Sequence, residues 1–287
     1  MTILRNALKE FGKILPDKLY LNILHYYFLG EKLNFKNPVT FNEKLNWLKL
    51  YHRKQEYTQM VDKYEVRELV SKNIGEKYLI PLIGIFDKVE DIKWNDLPDQ
   101  FVLKGTHDSG SVIICEDKKN LDIAAVEKKL RISLKKNQYW YGREWPYKNV
   151  RPRIICEELI QKDIKDYKFY CFNGLPQCLY VSQGLTSNHT LKVNFFDMEW
   201  NKSSFSRTDY PPFEDDIPKP EFLQEMRELC CLLAKDIPFI RVDLYEVDKK
   251  IYFSELTFSP CAGFMPFSPK KYDEILGGLI ELPPKVN

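Results

Sequence analysis

Two apolar stretches near the carboxyl end of the chain each carry polar residues that could bind a metal ion. Within each stretch these residues are one position apart: Arg241 and Asp243, then Glu255 and Thr257. In a β-strand that spacing places both side chains on one face. Burying a lone carboxylate is costly, so Asp243 and Glu255 indicate that a hard cation such as Mg²⁺ is bound. Phosphate oxygens and water molecules would complete the coordination shell of this ion. Taken alone, the pattern fits a surface hairpin with salt bridges equally well.

The connection between the two stretches decides whether Asp243 and Glu255 can share one ion. A two-residue turn at 248–249 would place Asp243 opposite Ser254 and turn Glu255 to the reverse face. A three-residue connection at 248–250 would place Asp243 opposite Glu255, and directly opposed residues share a face. We therefore predict the three-residue connection, or a β-bulge that restores the same parity.

A second segment has the composition of a phosphate-binding loop. A short apolar strand ends at Lys104 and is followed by a loop of small residues that includes Ser109, Gly110 and Ser111. Small residues let backbone N–H groups approach phosphate oxygens, while the lysine supplies a positive charge. The lysine precedes the glycine, so this is not a P-loop, and an ordinary hairpin is an equal alternative. His107, inside the loop, is more consistent with a structural contact than with a general base.

A third segment could bind a nucleoside. Exposed backbone at residues 157–160 could hydrogen-bond an adenine edge, and the carboxylate of Asp166 could hold ribose hydroxyls. Lys168 lies two residues further on, where it could reach a phosphate or an anionic acceptor, or simply extend its ammonium group to the surface. The segment 157–160 that could contact adenine consists of Glu157, Glu158, Leu159 and Ile160.

Hydrophobic periodicity predicts three regions that would position these residues. Residues 1–60 form a helical lead-in, in which Thr40 is placed to cap a helix. Residues 61–154 form a small α+β lobe with the phosphate loop, and residues 155–287 form a larger lobe with the metal site. The elements expected around the phosphate loop are helices at 63–72 and after an Asn120 cap, and strands at 78–86, 101–104 and 112–115. Those expected after the loop are strands at 153–156, 167–172, 177–181, 192–196, 239–247 and 251–256, and a helix at 221–235.

Composition narrows the class of protein. The 287 residues are 44% hydrophobic, and 43 Lys and Arg against 41 Asp and Glu leave a net charge of +2 without a long basic block, so we expect no nucleic-acid partner. We find no secretory leader and no apolar run long enough to span a bilayer, which predicts a cytoplasmic protein. The helical lead-in either packs on the core, as its mixed polarity favours, or associates peripherally with a membrane. Seven cysteines without CxxC spacing predict reduced thiols.

The order and spacing of these segments resemble the ATP-grasp superfamily. Asp62-Lys63 is similar to the first phosphate-lysine motif of that superfamily, and Lys104 with residues 109–111 is similar to its second lysine and flexible loop. Residues 157–160 resemble the hinge between its lobes, and Asp166 resembles its ribose carboxylate.

The carboxyl-terminal strings extend the resemblance. RVD at 241–243 and ELT at 255–257 are similar to the terminal RxD and ExN motifs. The strings DKYEVRELV, DYKFYCFNG, RVDLY and ELTFSPCAG look most like the teichuronopeptide-biosynthesis (TupA-like) branch, which is linked to bacterial cell-surface polysaccharides. The chain departs from the usual pattern in three ways: Thr257 stands in place of a metal-binding asparagine, the loop contains less glycine, and helices replace the customary amino-terminal α/β domain.

The resemblance implies a fold and a set of cofactors. The fold would be α+β, with two ATP-grasp lobes clasping ATP after a helical amino-terminal segment. Lys63 and Lys104 would bind the phosphates of ATP. Mg²⁺ would be held by Asp243 and Glu255, with Thr257 beside them.

The implied activity is that of an ATP-dependent carboxylate–amine ligase. An acceptor carboxylate would attack the γ-phosphate, and an amine would attack the resulting acylphosphate, while Arg241 would stabilise the developing negative charge. Lys168 would be the second catalytic residue, in contact with a phosphate or an anionic acceptor. The substrates would be an amine or amino acid and a uronic-acid-type carboxylate, free or sugar-linked, used in polysaccharide biosynthesis. The main alternative is a glycosyltransferase of the same pathway, although Asp215-Asp216 in a proline-rich loop is not a DxD motif. A non-catalytic binding module is the third alternative, and it would be expected to lack the lysines or the carboxylates.

Overall fold

Four helices open the part of the chain that the computed structural model describes, which is residues 12–184 and 191–285. They are α1 (Asp17–Leu29), α2 (Phe41–Tyr51), α3 (Glu56–Val61) and α4 (Val66–Asn73). The expectations for residues 1–11 lie outside the described residues. Thr40 caps α2 as predicted, because its side chain accepts the Glu43 N–H while the Glu43 carboxylate accepts the Thr40 N–H. None of the helices in the described ranges is both long and apolar enough to cross a membrane.

Two predicted helix starts are wrong by two or three residues. The helix expected at 63–72 begins at Val66, because Asp62 accepts the N–H groups of Tyr64 and Glu65 at 2.8 and 3.2 Å and so forms a turn. The next long helix, α5 (Ile123–Leu134), is capped by Asp122 rather than by Asn120. In both cases an aspartate side chain fixes the backbone close to a helix start.

A four-stranded antiparallel sheet follows the first helices. Its strands are β1 (Leu82–Phe86), β2 (Phe101–Gly105), β3 (Ile113–Cys115) and β4 (Ile154–Glu157), in the order β1-β4-β2-β3. Strand β4 lies in this sheet, so it crosses the predicted lobe boundary at 154. The helix α5 and the short α6 (Tyr139–Gly142) lie between β3 and β4 in the chain, and buried side chains of α5 pack against the sheet.

A five-stranded antiparallel sheet forms the larger part of the molecule. Its strands are β5 (Asp166–Phe172), β6 (Leu175–Gln183), β7 (Lys192–Asp197), β9 (Phe239–Val247) and β10 (Lys250–Thr257), in the order β10-β9-β5-β6-β7. Between them in the chain come the short β8 (Ser206–Arg207), which pairs with β11 (Phe267–Ser268), and the helix α7 (Leu223–Leu233); α8 (Lys271–Gly278) follows β11. All strands predicted for this region are present; the strand at 239–247 has the predicted bounds, and the bounds of the others shift by at most two residues.

Helices cover both faces of the five-stranded sheet. On one face, α4 and α7 pack against alternate residues of the central strands, including Phe169 and Val242. On the other face, α2 and α8 pack against Tyr170, Phe172 and Phe239. This second face also carries the charged residues predicted from the sequence, because β5 and β9 alternate with a period of two.

Candidate active site

Asp243 and Glu255 face each other across β9 and β10. The turn between these strands has two residues, 248–249, both with positive φ, so the predicted three-residue connection is wrong. The register then shifts just before Glu255, leaving Ser254 as the extra residue of a bulge. This bulge restores the parity that a two-residue turn would otherwise have lost, and it confirms the alternative that the sequence predicted.

Asp243 is the centre of a buried ion-pair network. Its side chain is fully buried; Arg241 donates to its two oxygens through Nε and Nη2 at 2.6 Å each, and Lys168 Nζ lies 2.5 Å from Oδ2. Lys168 Nζ is also 2.5 Å from Asp166, and Arg241 Nη2 is 2.9 Å from Glu255. The surface interpretation of Lys168 is therefore wrong. A network of this kind loses most of its Coulomb energy to desolvation, so it indicates function more than stability.

Of the two opposed carboxylates, only that of Glu255 is accessible to solvent. The Glu255 side chain is 32% exposed, whereas that of Asp243 is not exposed at all. Burial would raise the pKa of Glu255, but Lys63, Arg241 and Lys168 outweigh it and lower the pKa to about 2. Glu255 is therefore ionised at neutral pH, because three nearby cations favour its negative charge. Thr257 places its hydroxyl 3.4 Å from the same carboxylate.

Lys104 on β2 lies close enough to Glu255 for their charges to interact, and the region between the two sheets at this point is called the cleft. Its Nζ donates to Glu157 at 2.8 Å, and Glu157 also accepts from Arg67 at 3.0 Å. Burial alone would lower the pKa of Lys104, but the Glu157 carboxylate, with Tyr245 and Glu255, raises it above the usual value. Lys104 is thus a largely buried cation, with 14% of its side chain exposed, and it stays charged at neutral pH. The influence of Glu255 on Lys104 joins the two sheets electrostatically.

Hydrogen bonds fix the loop that follows Lys104. Lys63 Nζ donates to the backbone oxygen of Asp108 at 2.7 Å. The Asp108 carboxylate accepts the hydroxyls of Ser111 and Ser133 at 2.5 and 2.7 Å, and His107 Nε2 lies 3.0 Å from the backbone oxygen of Ser133. His107 therefore makes the structural contact that the sequence indicated. The loop is tied to α5 by buried polar contacts.

Only the tip of this loop is open to solvent. Ser109 and Gly110 are exposed, whereas Ser111 is buried and its hydroxyl bonds within the loop. Gly110 has a φ of +85°, a backbone conformation that residues with a side chain rarely adopt. The backbone at this tip is consequently the part of the loop that a phosphate could approach.

The segment after β4 leaves backbone groups available. The Glu158 N–H donates to the Pro81 oxygen at 3.1 Å, and the Glu158 side chain is exposed. Leu159 and Ile160 are half-buried, and within residues 12–184 and 191–285 their backbone groups have no hydrogen-bond partner. Asp166, on the neighbouring β5, has a buried Oδ1 that likewise lacks a partner among the described residues. Buried polar atoms are rarely left unpaired, so this oxygen fits a ligand hydroxyl.

Two residues that sequence reasoning missed lie behind the network. Lys49 is buried and donates to the backbone oxygens of Gly142 and Ala262 at 2.8 and 2.5 Å. Burial lowers the pKa of Lys49 and raises that of the buried Glu144, and each charge partly offsets the effect on the other. The available signal was the position of Lys49 four residues after the buried Leu45, on the apolar stripe of α2.

The donor set fits one magnesium ion. Among the described residues, no three His, Cys, Asp or Glu side chains cluster as a preformed metal site. Mg²⁺ does not need such a cluster, because one or two carboxylates suffice when phosphates and water complete its octahedron. Glu255 is ionised and accessible, and Asp243 lies directly across the hairpin from it.

Comparisons with known proteins found one matching family model and several similar solved structures. The family model described as TupA-like ATPgrasp matches residues 43–281. Among solved structures, the D-alanine–D-alanine ligase of Bacillus anthracis is 19% identical, with 77% of this chain and 59% of that chain covered and a TM-score of 0.41. The corresponding ligase of Helicobacter pylori is 14% identical, with coverages of 87% and 68% and a TM-score of 0.46. The ATP-grasp ligase PsnB, complexed with minimal precursor, Mg and ADP, is 12% identical, with coverages of 76% and 57% and a TM-score of 0.42.

The chain thus spans about three-fifths of the length of the first of these ligases. A search of curated proteins found none that is significantly similar to this chain. The family match covers most of the sequence, including every residue predicted for the site. It confirms the predicted family and the α+β ATP-grasp fold. The chain belongs to the TupA-like ATP-grasp family.

Proposed function

We propose that the protein is an ATP-dependent carboxylate–amine ligase that acts through an acylphosphate. The observation that carries the proposal is the pair of opposed carboxylates, Asp243 and Glu255, set among the cations Lys63, Lys168 and Arg241. Carboxylates that share a site with several cations suit a polyphosphate bound with Mg²⁺, because the cations can contact the phosphates while the carboxylates bind the metal. A glycosyltransferase receives less support, because the chain belongs to an ATP-grasp family.

The nucleotide would lie between the two sheets. Lys63 and Lys104 would contact its phosphates together with the loop tip, the backbone of 159–160 would meet the adenine edge, and Asp166 would accept a ribose hydroxyl. Glu255 would bind the metal, joined by Asp243 when Lys168 turns from that carboxylate towards a phosphate. Bound Mg²⁺ would neutralise negative charge that builds up on the phosphates. These residues would position the substrates and neutralise the phosphate charge, and they would not supply a nucleophile of their own.

The acceptor carboxylate would attack the γ-phosphorus, and the bond from this phosphorus to the bridging oxygen of ADP would break. The amine would then attack the acyl carbon, and inorganic phosphate would leave as the amide forms. Arg241 is held in place by Asp243 and Glu255, with Nη2 2.9 Å from Glu255. It would stabilise the negative charge on the oxygens of the acyl group in both steps.

The proposal extends to a substrate class. The TupA-like resemblance supports an amine or amino acid joined to a uronic-acid-type carboxylate of a cell-surface polysaccharide, in the cytoplasm. It also supports a division into a helical segment (1–60), a phosphate-binding lobe (61–154) and a metal-binding lobe (155–287), with β4 completing the sheet of the second region.

A two-part assay tests this function. Purified protein with ATP and Mg²⁺ is supplied with a panel of uronic acids, with and without amino acids, and ADP release is measured. Hydroxylamine is then added in place of the amine, because it converts an acylphosphate into a stable hydroxamate. We expect ADP release that depends on the carboxylate, and a hydroxamate of the same acid. Thermal stabilisation by a nucleotide-sugar but not by ATP with Mg²⁺ would instead favour the glycosyltransferase.

A further inference from the structure

A second arginine lies beside the proposed acceptor site. Arg207, on β8, is buried, and its Nε and Nη2 donate to Asp209 at 2.6 Å each. Nη2 also lies 2.9 Å from the sulfur of Cys261, which is exposed and belongs to the loop after β10. Nη1 has no hydrogen-bond partner within residues 12–184 and 191–285. Asp209 therefore fixes the plane of the guanidinium and leaves one nitrogen free to donate.

Tyr180 connects this arginine to the ion-pair network. The guanidinium carbons of Arg207 and Arg241 lie 5.7 and 5.9 Å from the centroid of the Tyr180 ring. Arg241 Nη1 donates to the Tyr180 hydroxyl at 3.3 Å. The charges of both arginines also act on the Cys261 thiol. Arg207 and Arg241 thus flank one aromatic ring, with Cys261 within the field of both.

An unpaired hydroxyl lies at the same place. Tyr170 is fully buried on β5, and its hydroxyl has no hydrogen-bond partner in the described part of the chain. Tyr180, Arg241, Cys261 and Arg207 are the groups that act on it electrostatically. Buried hydroxyls normally have a partner, so a polar ligand or its bound water is expected here.

We propose that Arg207 is a specificity-determining residue that binds a second anionic group of the acceptor, a carboxylate or a phosphate, while Arg241 holds the carboxylate that reacts. The inference rests on the proposed function, since it assumes that the acceptor lies at Arg241. It narrows the acceptor to a molecule with two acidic groups. A guanidinium with a free nitrogen is suited to this role, because it stays charged and donates in a fixed direction.

Cys261 provides a test that requires neither ATP nor the natural acceptor. Iodoacetate and iodoacetamide alkylate a thiolate by the same displacement of iodide, but only iodoacetate carries a negative charge. The ratio of their rates at Cys261, measured by peptide mass spectrometry, reports the attraction of a small carboxylate to this place. Cys231, half-buried on α7, is the reference thiol in the same molecule. Removing Arg207 also changes the thiolate fraction of Cys261, but this affects both reagents equally and cancels in the ratio.

In Arg207→Gln we expect the ratio of iodoacetate to iodoacetamide at Cys261 to fall about three- to fivefold, the effect of one partly exposed charge pair, and the ratio at Cys231 to stay constant. In Asp209→Asn the ratio at Cys261 should rise, because the competing carboxylate is gone while Arg207 remains. If Arg207→Gln does not fold, Asp209→Asn decides alone. An unchanged ratio in the folded variants would mean that Arg207 only supports the loop, and it would overturn the proposal whether or not the protein proves to be a ligase.

Discussion

One face of the five-stranded sheet has two ends of opposite character. Towards the cleft, β5 and β9 carry the buried charges: Asp166, Lys168, Arg241 and Asp243. Towards the other end, the same strands and the same face carry the aromatic residues Tyr170, Phe172 and Phe239. On β5 the charged Lys168 and the aromatic Tyr170 are only two residues apart, so the change occurs between successive side chains on this face. Backbone geometry is therefore common to both ends, and the side chains alone separate the part that holds the fold from the part that holds the proposed substrates.

The two ends differ in what they contribute to stability. At the aromatic end, Phe41 of α2 stacks on Tyr170 with ring centroids 5.8 Å apart and meets Phe239 edge-on at 4.8 Å. The contact between Phe41 and Phe239 buries apolar area on both sides without burying a polar group. At the charged end, each ion pair must first lose its hydration, and this offsets most of the attraction. The aromatic end stabilises the sheet, so the charged end can be arranged for binding.

The largest expected effect is on the aromatic end. Phe172→Ala removes a side chain that is 2% exposed, and it should lower the free energy of unfolding by about 3–5 kcal/mol. Leu175→Ala, at the residue paired with it but 56% exposed, is the matched control and should cost less than about 1 kcal/mol. Urea denaturation measures both. Equal costs in the two variants would show that aromatic packing does not stabilise this end of the sheet.

A slightly smaller effect is expected in the cleft, and on turnover rather than on stability. Lys104→Ala should reduce ATP turnover by about 10²–10³-fold, because a cation next to the developing charge is lost. The unfolding free energy should change by only about 1–2 kcal/mol, since Glu157 keeps Arg67 at 3.0 Å.

Lys162→Ala is the control for this variant, because Lys162 also forms a Lys–Glu pair, at 2.7 Å with Glu116, but on the surface. Its turnover and stability should match those of the wild type. ADP release and thermal melts are the measurements. Wild-type turnover in Lys104→Ala would remove Lys104 from the phosphate site.

The smallest expected effect is the pH dependence of stability contributed by Glu255. Although burial opposes it, the cations around Glu255 lower its pKa from 4.5 to about 2. The ionised form is therefore favoured in the folded protein: its contribution is complete above pH 4.5 and is lost as the pH falls towards 2. The melting temperature of wild type should exceed that of Glu255→Gln by an amount equivalent to about 1 kcal/mol or less at neutral pH, and this difference should shrink below pH 4.5.

Glu76→Gln, at an exposed residue outside the cleft, is the control for this titration. A difference between wild type and Glu255→Gln that stays constant from pH 6 to pH 2.5 would contradict the depressed pKa. It would also contradict the stabilisation of the Glu255 charge by Lys63, Arg241 and Lys168.

Local rules made much of this molecule predictable. The cap at Thr40 followed from a threonine placed just before the helically spaced Phe41, Leu45 and Leu48, and the shared face of Arg241 and Asp243 followed from the strand period. Lys49 and Glu144 were missed, because their electrostatic interaction joins segments almost a hundred positions apart. Arg207 was missed for the same reason, since Cys261 and Tyr180 reach it only through the folded sheet.

The bulge at Ser254 has a consequence for how this hairpin can change in length. Adding one residue to the turn at 248–249 would turn Glu255 away from Asp243 unless the bulge were lost at the same time. The number of turn residues and the presence of the bulge are thus coupled, because each added residue reverses the face on which Glu255 lies. Chains that keep the two carboxylates opposed should show either an even turn with a bulge or an odd turn without one, and hairpins grafted from other proteins should be chosen by this rule.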